Sequence, residues 1–133
     1  METTKKLISF ILPVYNEEGN ILNIHTEICD MMKMFDTKYT YEILFIDDGS
    51  YDTSWEKITT LCKNYTHTRG VSLSRNFGKE IALSAGLHES RGDAVITLDA
   101  DGQHPVHKIH DFLDAWEEGY DIVYNVRIGE KEA

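Results

Sequence analysis

Short apolar runs alternate with amphipathic stretches along the whole chain. Residues 7–12 (LISFIL), 42–46 (EILFI), 71–73, 94–98 (AVITL) and 122–126 read as strands. Three of these runs are rich in β-branched residues, and an unbroken apolar run of this length suits a strand buried on both faces. Pro13 ends the first run. Between the runs, apolar residues recur at helical spacing: Ile21, Ile24, Ile28, Met31 and Phe35 in one segment, Trp55, Ile58, Leu61 and Tyr65 in the next. Thr53 followed by Glu56 predicts a capping box at the start of the second helix. A third helix over about residues 78–90 carries a small-residue face of Ala82, Ala85 and Gly86, with Gly92 suited to its C′ position. A fourth begins near Pro105, runs through Ile109, Phe112, Leu113 and Trp116, and stops at Gly119.

The predicted order is therefore β-α-β-α-β-α-β-α-β. Segments of these lengths fold into an α/β domain, a three-layer sandwich whose mainly parallel central sheet is covered by helices on both faces. At 133 residues, 41% of them hydrophobic, the chain suffices for one such domain over residues 1–133. In open parallel sheets ligands bind outside the carboxyl ends of the strands, so the segments that follow each strand are where chemistry is expected.

Charge narrows the ligand class. A net charge of −10 repels nucleic acid and anionic lipid, both of which are bound largely by Lys and Arg neutralising phosphates. An anionic ligand would need a local positive group or a bridging cation. Cys29 and Cys62 form no CxxC pair, which argues against zinc and disulfides and for a reducing, cytoplasmic setting. No stretch approaches the ~20 apolar residues of a membrane-spanning helix, so a soluble chain is expected.

The strand exits are polar. They read Pro13-Val14-Tyr15-Asn16-Glu17-Glu18, Asp47-Asp48-Gly49-Ser50, Ser74-Arg75-Asn76 and Asp99-Ala100-Asp101-Gly102-Gln103-His104. Asp99 and Asp101 stand two apart as the chain leaves a strand, where alternation points both the same way. Two carboxylates there offer hard oxygen ligands to Mg²⁺ or Mn²⁺, although Asp-x-Asp is also an ordinary turn sequence. Asp47 and Asp48 serve equally well as turn residues, with Ser50 or Asp52 capping the next helix, or as an acceptor for a ring N–H of a nucleobase. Tyr15 and Glu17 fit the lining of a base and ribose, or the end of a strand. Arg75 and Lys79 are the positive groups at this edge and lie where a helix N-terminus favours phosphate; both also fit a solvated surface. His104 suits either a ligand contact or a helix start, and the other histidines read as surface or helix residues. There is no Gly-x-Gly-x-x-Gly, Gly-x-x-x-x-Gly-Lys-Ser/Thr or Gly-x-Ser-x-Gly, which removes the main support for dinucleotide-binding, P-loop and α/β-hydrolase readings.

Taken together, ILPVYNEEGNI, ILFIDDGSYDTS, LSRNFGKEIALSAGL and ITLDADGQHP make the chain resemble the family 2 glycosyltransferases with the GT-A fold, over residues 7–127. The Ser-Arg-Asn-Phe-Gly-Lys stretch is most similar to the branch that glycosylates polyprenyl phosphates. The resemblance implies that Pro13, Tyr15, Glu17 and the Asp47/Asp48 pair hold the nucleoside. Asp99 and Asp101, helped by Gln103, would hold a divalent cation and the diphosphate. The implied activity is inverting transfer of a hexose from a UDP- or GDP-linked donor to a polyprenyl phosphate, at the cytoplasmic face of a membrane. The acceptor-binding and membrane-associated segments of that family have no counterpart before Ala133, so donor and metal binding without acceptor binding is expected of this chain. A non-catalytic nucleotide-sugar-binding module is the alternative. A phosphoacceptor receiver domain shares the five-strand organisation but places paired acids after the first strand and a lysine at the end of the fifth, where this chain has Pro-Val-Tyr-Asn-Glu and Asn125-Val126-Arg127.

Overall fold

The computed structural model describes residues 5–100, 108–118 and the backbone of 124–126. The elements run β1 (Lys6–Val14), α1 (Ile21–Lys33), β2 (Tyr39–Asp47), α2 (Ser54–Asn64), β3 (Thr68–Ser72), α3 (Lys79–Glu89), β4 (Ala94–Leu98), α4 (Lys108–Glu117) and β5 (Tyr124–Val126). The five strands form one sheet in the order β3-β2-β1-β4-β5, and every pairing is parallel.

Strand alternation sorts the core into two layers of unequal size. Ile8, Phe10, Leu12 and Val14 of β1, with Ile43 and Phe45 of β2, pack against Ile21, Ile24 and Ile28 of α1, Ile58 of α2 and Ile109 of α4. Ile11, Leu44, Ile46 and Val95 turn the other way and meet α3 through Ala82. Among the described residues, helices thus cover both faces, α1, α2 and α4 on one and α3 on the other. The small-residue face of α3 explains how one helix suffices. A side chain added at Gly86 would collide with the Ile11 side chain, so glycine lets the helix lie directly on β1.

Several boundaries differ from the sequence reading. Pro13 lies inside β1 instead of ending it, opposite Ile46 of β2. This is tolerated because β4 pairs with β1 only from Ile8 to Ile11, so Pro13 sits beyond that ladder and its absent N–H costs it no bond there. β2 starts at Tyr39, ahead of the apolar run, and β3 starts at Thr68, because edge pairing with Ile43–Asp47 extends the strand through polar residues. The predicted capping box is not made. The Thr53 hydroxyl donates to Glu18 Oε1 at 2.5 Å, and the Ser54 N–H is taken by Asp52 Oδ1 at 2.9 Å. Gly92 does not close α3 by a left-handed turn; its N–H donates to Ser9 Oγ at 2.8 Å, with no room there for a side chain. The predicted start of α4 at Pro105 and its stop at Gly119 fall outside the described residues.

Two polar clusters were invisible in the sequence, both at the amino end of the sheet. Glu42, within an apolar run, is buried and accepts from Ser9 Oγ at 2.5 Å, Arg91 N–H at 2.8 Å and Arg69 at 3.0 Å. Burial pushes its carboxyl up, but these bonds outweigh that and hold it below the usual carboxylate range. Arg69 also donates to the Glu89 carbonyl at 2.7 Å, which ties down the last turn of α3. His25, read as a surface or helix residue, lies in α1 and is only 2% exposed. Its ring bonds Thr68 Oγ1 at 2.8 Å and packs beside Tyr65 and His67. Burial, with His67 adding to it, lowers its pKa to about 4.

Candidate functional site

At the carboxyl end of the sheet, the segments after β1 and β2 are laced together by their own side chains. Asn16 adopts φ 53°, a left-handed conformation that Asn tolerates, and this presents its amide to the neighbouring loop. Its N–H donates to Ser50 Oγ at 2.8 Å, and its Oδ1 accepts from Tyr51 N–H at 3.0 Å. Glu17 N–H donates to Ser54 Oγ at 2.9 Å, and Glu18 N–H to Asp52 Oδ2 at 3.2 Å. The Asn-Glu-Glu and Asp-Gly-Ser-Tyr-Asp-Thr-Ser sequences therefore explain each other: the polar groups of one loop satisfy the backbone of the other. Tyr15 and Glu17 are held at the rim by this lacing.

The segment after β3 is fixed by Asp48. Its carboxylate accepts from Phe77 N–H at 2.8 Å, Gly78 N–H at 3.0 Å and Asn76 Nδ2 at 3.1 Å, and its own carbonyl accepts a second bond from Asn76 at 3.1 Å. Gly49, at φ 76°, permits this contact, since a Cβ there would run into the backbone of Arg75 and Asn76. The result is an anchored entry into α3 whose first residue is Lys79. The ammonium of Lys79 reaches Asp99 Oδ1, just past the end of β4, at 2.5 Å.

Pro13, Val14, Tyr15, Glu17, Asp48, Asn76, Gly78, Lys79, Asp99 and Ala100 line one cavity of about 420 Å³. Six residues singled out from the sequence, Pro13, Tyr15, Glu17, Asp48, Lys79 and Asp99, thus meet at one place. Asp47 does not join them. It continues the alternation of Ile43 and Phe45, turns toward the α1/α2 face and is buried. Burial raises its pKa, against hydrogen bonds from Ser50 that lower it. Arg75 also stands outside the lining, with its guanidinium 4.9 Å from the Phe77 ring centre. Asp101, Gln103 and His104 fall outside the described residues. The sequence reading quoted Asn76 and Gly78 within their stretch but gave neither a role in the site. The cue was present, because an asparagine and a glycine just before a helix are what a side-chain-anchored, positive-φ entry needs; Gly78 has φ 108°.

The chain is 43% identical over 120 residues to an uncharacterized glycosyltransferase of Synechocystis sp., covering 90% of this chain and 37% of that protein. It is 40% identical over 129 residues to an undecaprenyl-phosphate 4-deoxy-4-formamido-L-arabinose transferase of Aeromonas hydrophila, covering 94% of this chain and 38% of the relative. Among solved structures, a mannosyltransferase of Pyrobaculum calidifontis in complex with GDP-Man and Mn²⁺ superposes with a TM-score of 0.61. That match covers 74% of this chain and 28% of the other at 22% identity, a likeness of fold. The chain spans a little over a third of the length of both relatives. No helix among the described residues is long and apolar enough to cross a membrane. The strand order β3-β2-β1-β4-β5 departs from the 2-1-3-4-5 order of receiver-type domains, which removes that alternative. The model of glycosyl transferase family 2 matches residues 9–132, and with this sheet and these strand exits the chain belongs to that family and has its GT-A fold.

Proposed function

We propose that the cavity at the carboxyl ends of β1, β2 and β4 binds the nucleotide part of a UDP- or GDP-linked hexose. In the whole protein, the hexose is transferred with inversion to a polyprenyl phosphate. The observation that carries this reading is the meeting of Pro13, Tyr15, Glu17, Asp48, Lys79 and Asp99 around one cavity of about 420 Å³, a size suited to a small-molecule ligand. The acceptor class is supported by the Aeromonas relative, which is named for undecaprenyl phosphate.

Each residue has a task that its environment permits. Tyr15 is 44% exposed at the rim and offers an aromatic surface to a base or ribose. Asp48 Oδ2 already accepts two bonds, while Oδ1 accepts one and keeps a lone pair for a ring N–H of the base. Lys79 and the uncapped first turn of α3 attract the diphosphate. Asp99, in the cavity wall, supplies the kind of hard carboxylate oxygen that Mg²⁺ and Mn²⁺ prefer, which suits a divalent cation. Asp101 and Gln103, outside the described residues, are its proposed further ligands by sequence alone. When bound, such a cation supplies neutralising charge to the diphosphate leaving group.

The reaction class is displacement at the anomeric carbon. The acceptor oxygen forms its bond as the carbon–oxygen bond to the diphosphate breaks, and attack opposite the leaving group inverts the centre. A phosphate acceptor arrives already ionised, so it requires positioning more than a strong base. The residues described here serve the donor side.

Calorimetric titration of UDP and GDP into the chain, first with Mn²⁺ and then with EDTA, tests the reading. Binding with Mn²⁺ that weakens at least about tenfold in EDTA, roughly 1.4 kcal/mol, is expected. Equal affinity in both conditions overturns the cation role, and no binding of either nucleotide overturns the donor site.

A further inference from the structure

We propose that Lys79 is an internal counter-ion that competes with the divalent cation for Asp99, so that the cation binds tightly only when a nucleoside diphosphate draws the lysine away. The inference rests on the reading of Asp99 as a cation ligand and adds a binding order to it. The Lys79 ammonium lies 2.5 Å from Asp99 Oδ1, and both residues line the same cavity. A carboxylate oxygen held this closely by one cation is a poor ligand for a second, because the two positive charges repel across a few ångströms.

The surroundings make the exchange mechanically simple. Lys79 is the first residue of α3, and the two residues before it are pinned by their N–H groups to Asp48, which fixes the base of its side chain. Its own side chain is 39% exposed and carries a flexible four-carbon stem, so the ammonium can trade a carboxylate for phosphate oxygens by changing rotamer, with the backbone still. Among the described residues of the cavity wall, Glu17, Asp48 and Asp99 are acidic and Lys79 is the one cation. Among the described residues it is therefore Lys79 that attracts an incoming phosphate, and its ammonium is the group that lies on Asp99 Oδ1. Nucleotide and cation then strengthen each other by the same factor, as linkage requires.

Mn²⁺ binding to the 133-residue chain, read from the electron paramagnetic resonance of free Mn²⁺, tests this without any turnover. Parent, Lys79→Met, Lys79→Arg and Asp99→Asn are compared with Mn²⁺ alone and with UDP or GDP added, after circular dichroism shows that each is folded. Lys79→Met is expected to bind Mn²⁺ alone about two- to fivefold more tightly than the parent, in keeping with loss of a partly exposed competing ion pair. Its strengthening by nucleotide should shrink correspondingly, while Lys79→Arg stays near the parent. Unchanged or weaker Mn²⁺ binding by Lys79→Met, with Asp99→Asn still losing the ion, overturns the counter-ion role alone. If Asp99→Asn binds Mn²⁺ as the parent does even with nucleotide present, the cation reading falls and the counter-ion role falls with it.

Discussion

At each end of the sheet a carboxylate serves α3, Glu42 from within β2 and Asp48 from just past its end, and the two ends use it differently. At the amino end Glu42 is filled by Ser9, by the Arg91 N–H and by the Arg69 guanidinium, and Arg69 in turn holds the last turn of α3. At the carboxyl end Asp48 is filled by Asn76 and the N–H groups of Phe77 and Gly78, which hold the entry to the same helix. Both acids are buried and both anchor α3. Asp48 also lines the cavity of about 420 Å³, beside Lys79, whose side chain is 39% exposed. Burial therefore does not separate an anchoring acid from a ligand-facing one. Each carboxylate accepts three hydrogen bonds, so what separates them is the company they keep: Glu42 is paired with the fixed guanidinium of Arg69, while Asp48 borders the cavity.

The comparison breaks most clearly at Glu42. Replacing it with alanine leaves the partly buried Arg69 without its carboxylate and frees the α3–β4 turn, and removing one partner of such a pair costs on the order of 3 kcal/mol. Urea unfolding followed by circular dichroism measures this as a lowered midpoint. Nucleotide affinity at low temperature should stay near the parent value, since Glu42 is remote from the cavity lining. A loss of stability under about 1 kcal/mol would place this cluster with ordinary surface pairs.

The same contrast explains what could be read in advance. The strand–helix order was legible because each apolar run had one period and each helix another, and the strand exits were legible because acids, Asn and Gly concentrate there. Asp47 and Asp48 could not be told apart by composition. Alternation separates them, yet only once β2 is known to run to Asp47, so that Asp47 shares the face of Ile43 and Phe45. Glu42 and His25 escaped notice for a physical reason. Their partners, Arg69 and Thr68, lie 27 and 43 residues away, and no local pattern announces a pairing made by sheet register.

His25 belongs to the anchoring end and gives the next effect in size. Its pKa is held to about 4, first by burial and then by the nearby His67, whereas an unfolded histidine titrates near 6.5. The folded state therefore prefers the neutral ring. Its contribution to stability is complete above about pH 6.5 and is lost as pH falls from there toward 4, by roughly 3 kcal/mol. The ring is surrounded by Thr68, Tyr65, His67, Phe45 and Cys29, none of which offers a carboxylate to stabilise a charged imidazole. His25→Gln should flatten that pH dependence, measured as unfolding free energy at pH 7.5 and pH 4.5. His67, whose pKa burial also lowers, retains its own share of the slope. An unchanged slope in the variant would assign the acid sensitivity elsewhere.

The smallest effect on stability and the largest on binding should occur together at Asp99. Lys79, which pairs with it, is 39% exposed and flexible, so after Asp99→Asn its ammonium turns to water and is not left as a buried charge. A solvent-accessible pair of this kind contributes less than about 1 kcal/mol, and the urea midpoint should barely move. Mn²⁺-dependent nucleotide binding, in contrast, should disappear, because an amide oxygen replaces a carboxylate as the ligand for a hard cation. This is the reverse of Glu42→Ala, which should unfold easily and bind normally. Measuring both quantities on both variants fills four positions, and the assignment of one end to anchoring and the other to ligand requires opposite corners to be occupied. If Asp99→Asn lost several kcal/mol of stability while keeping its nucleotide, the Lys79–Asp99 pair would be a second anchor of α3, and the divalent cation would have to be sought at other residues.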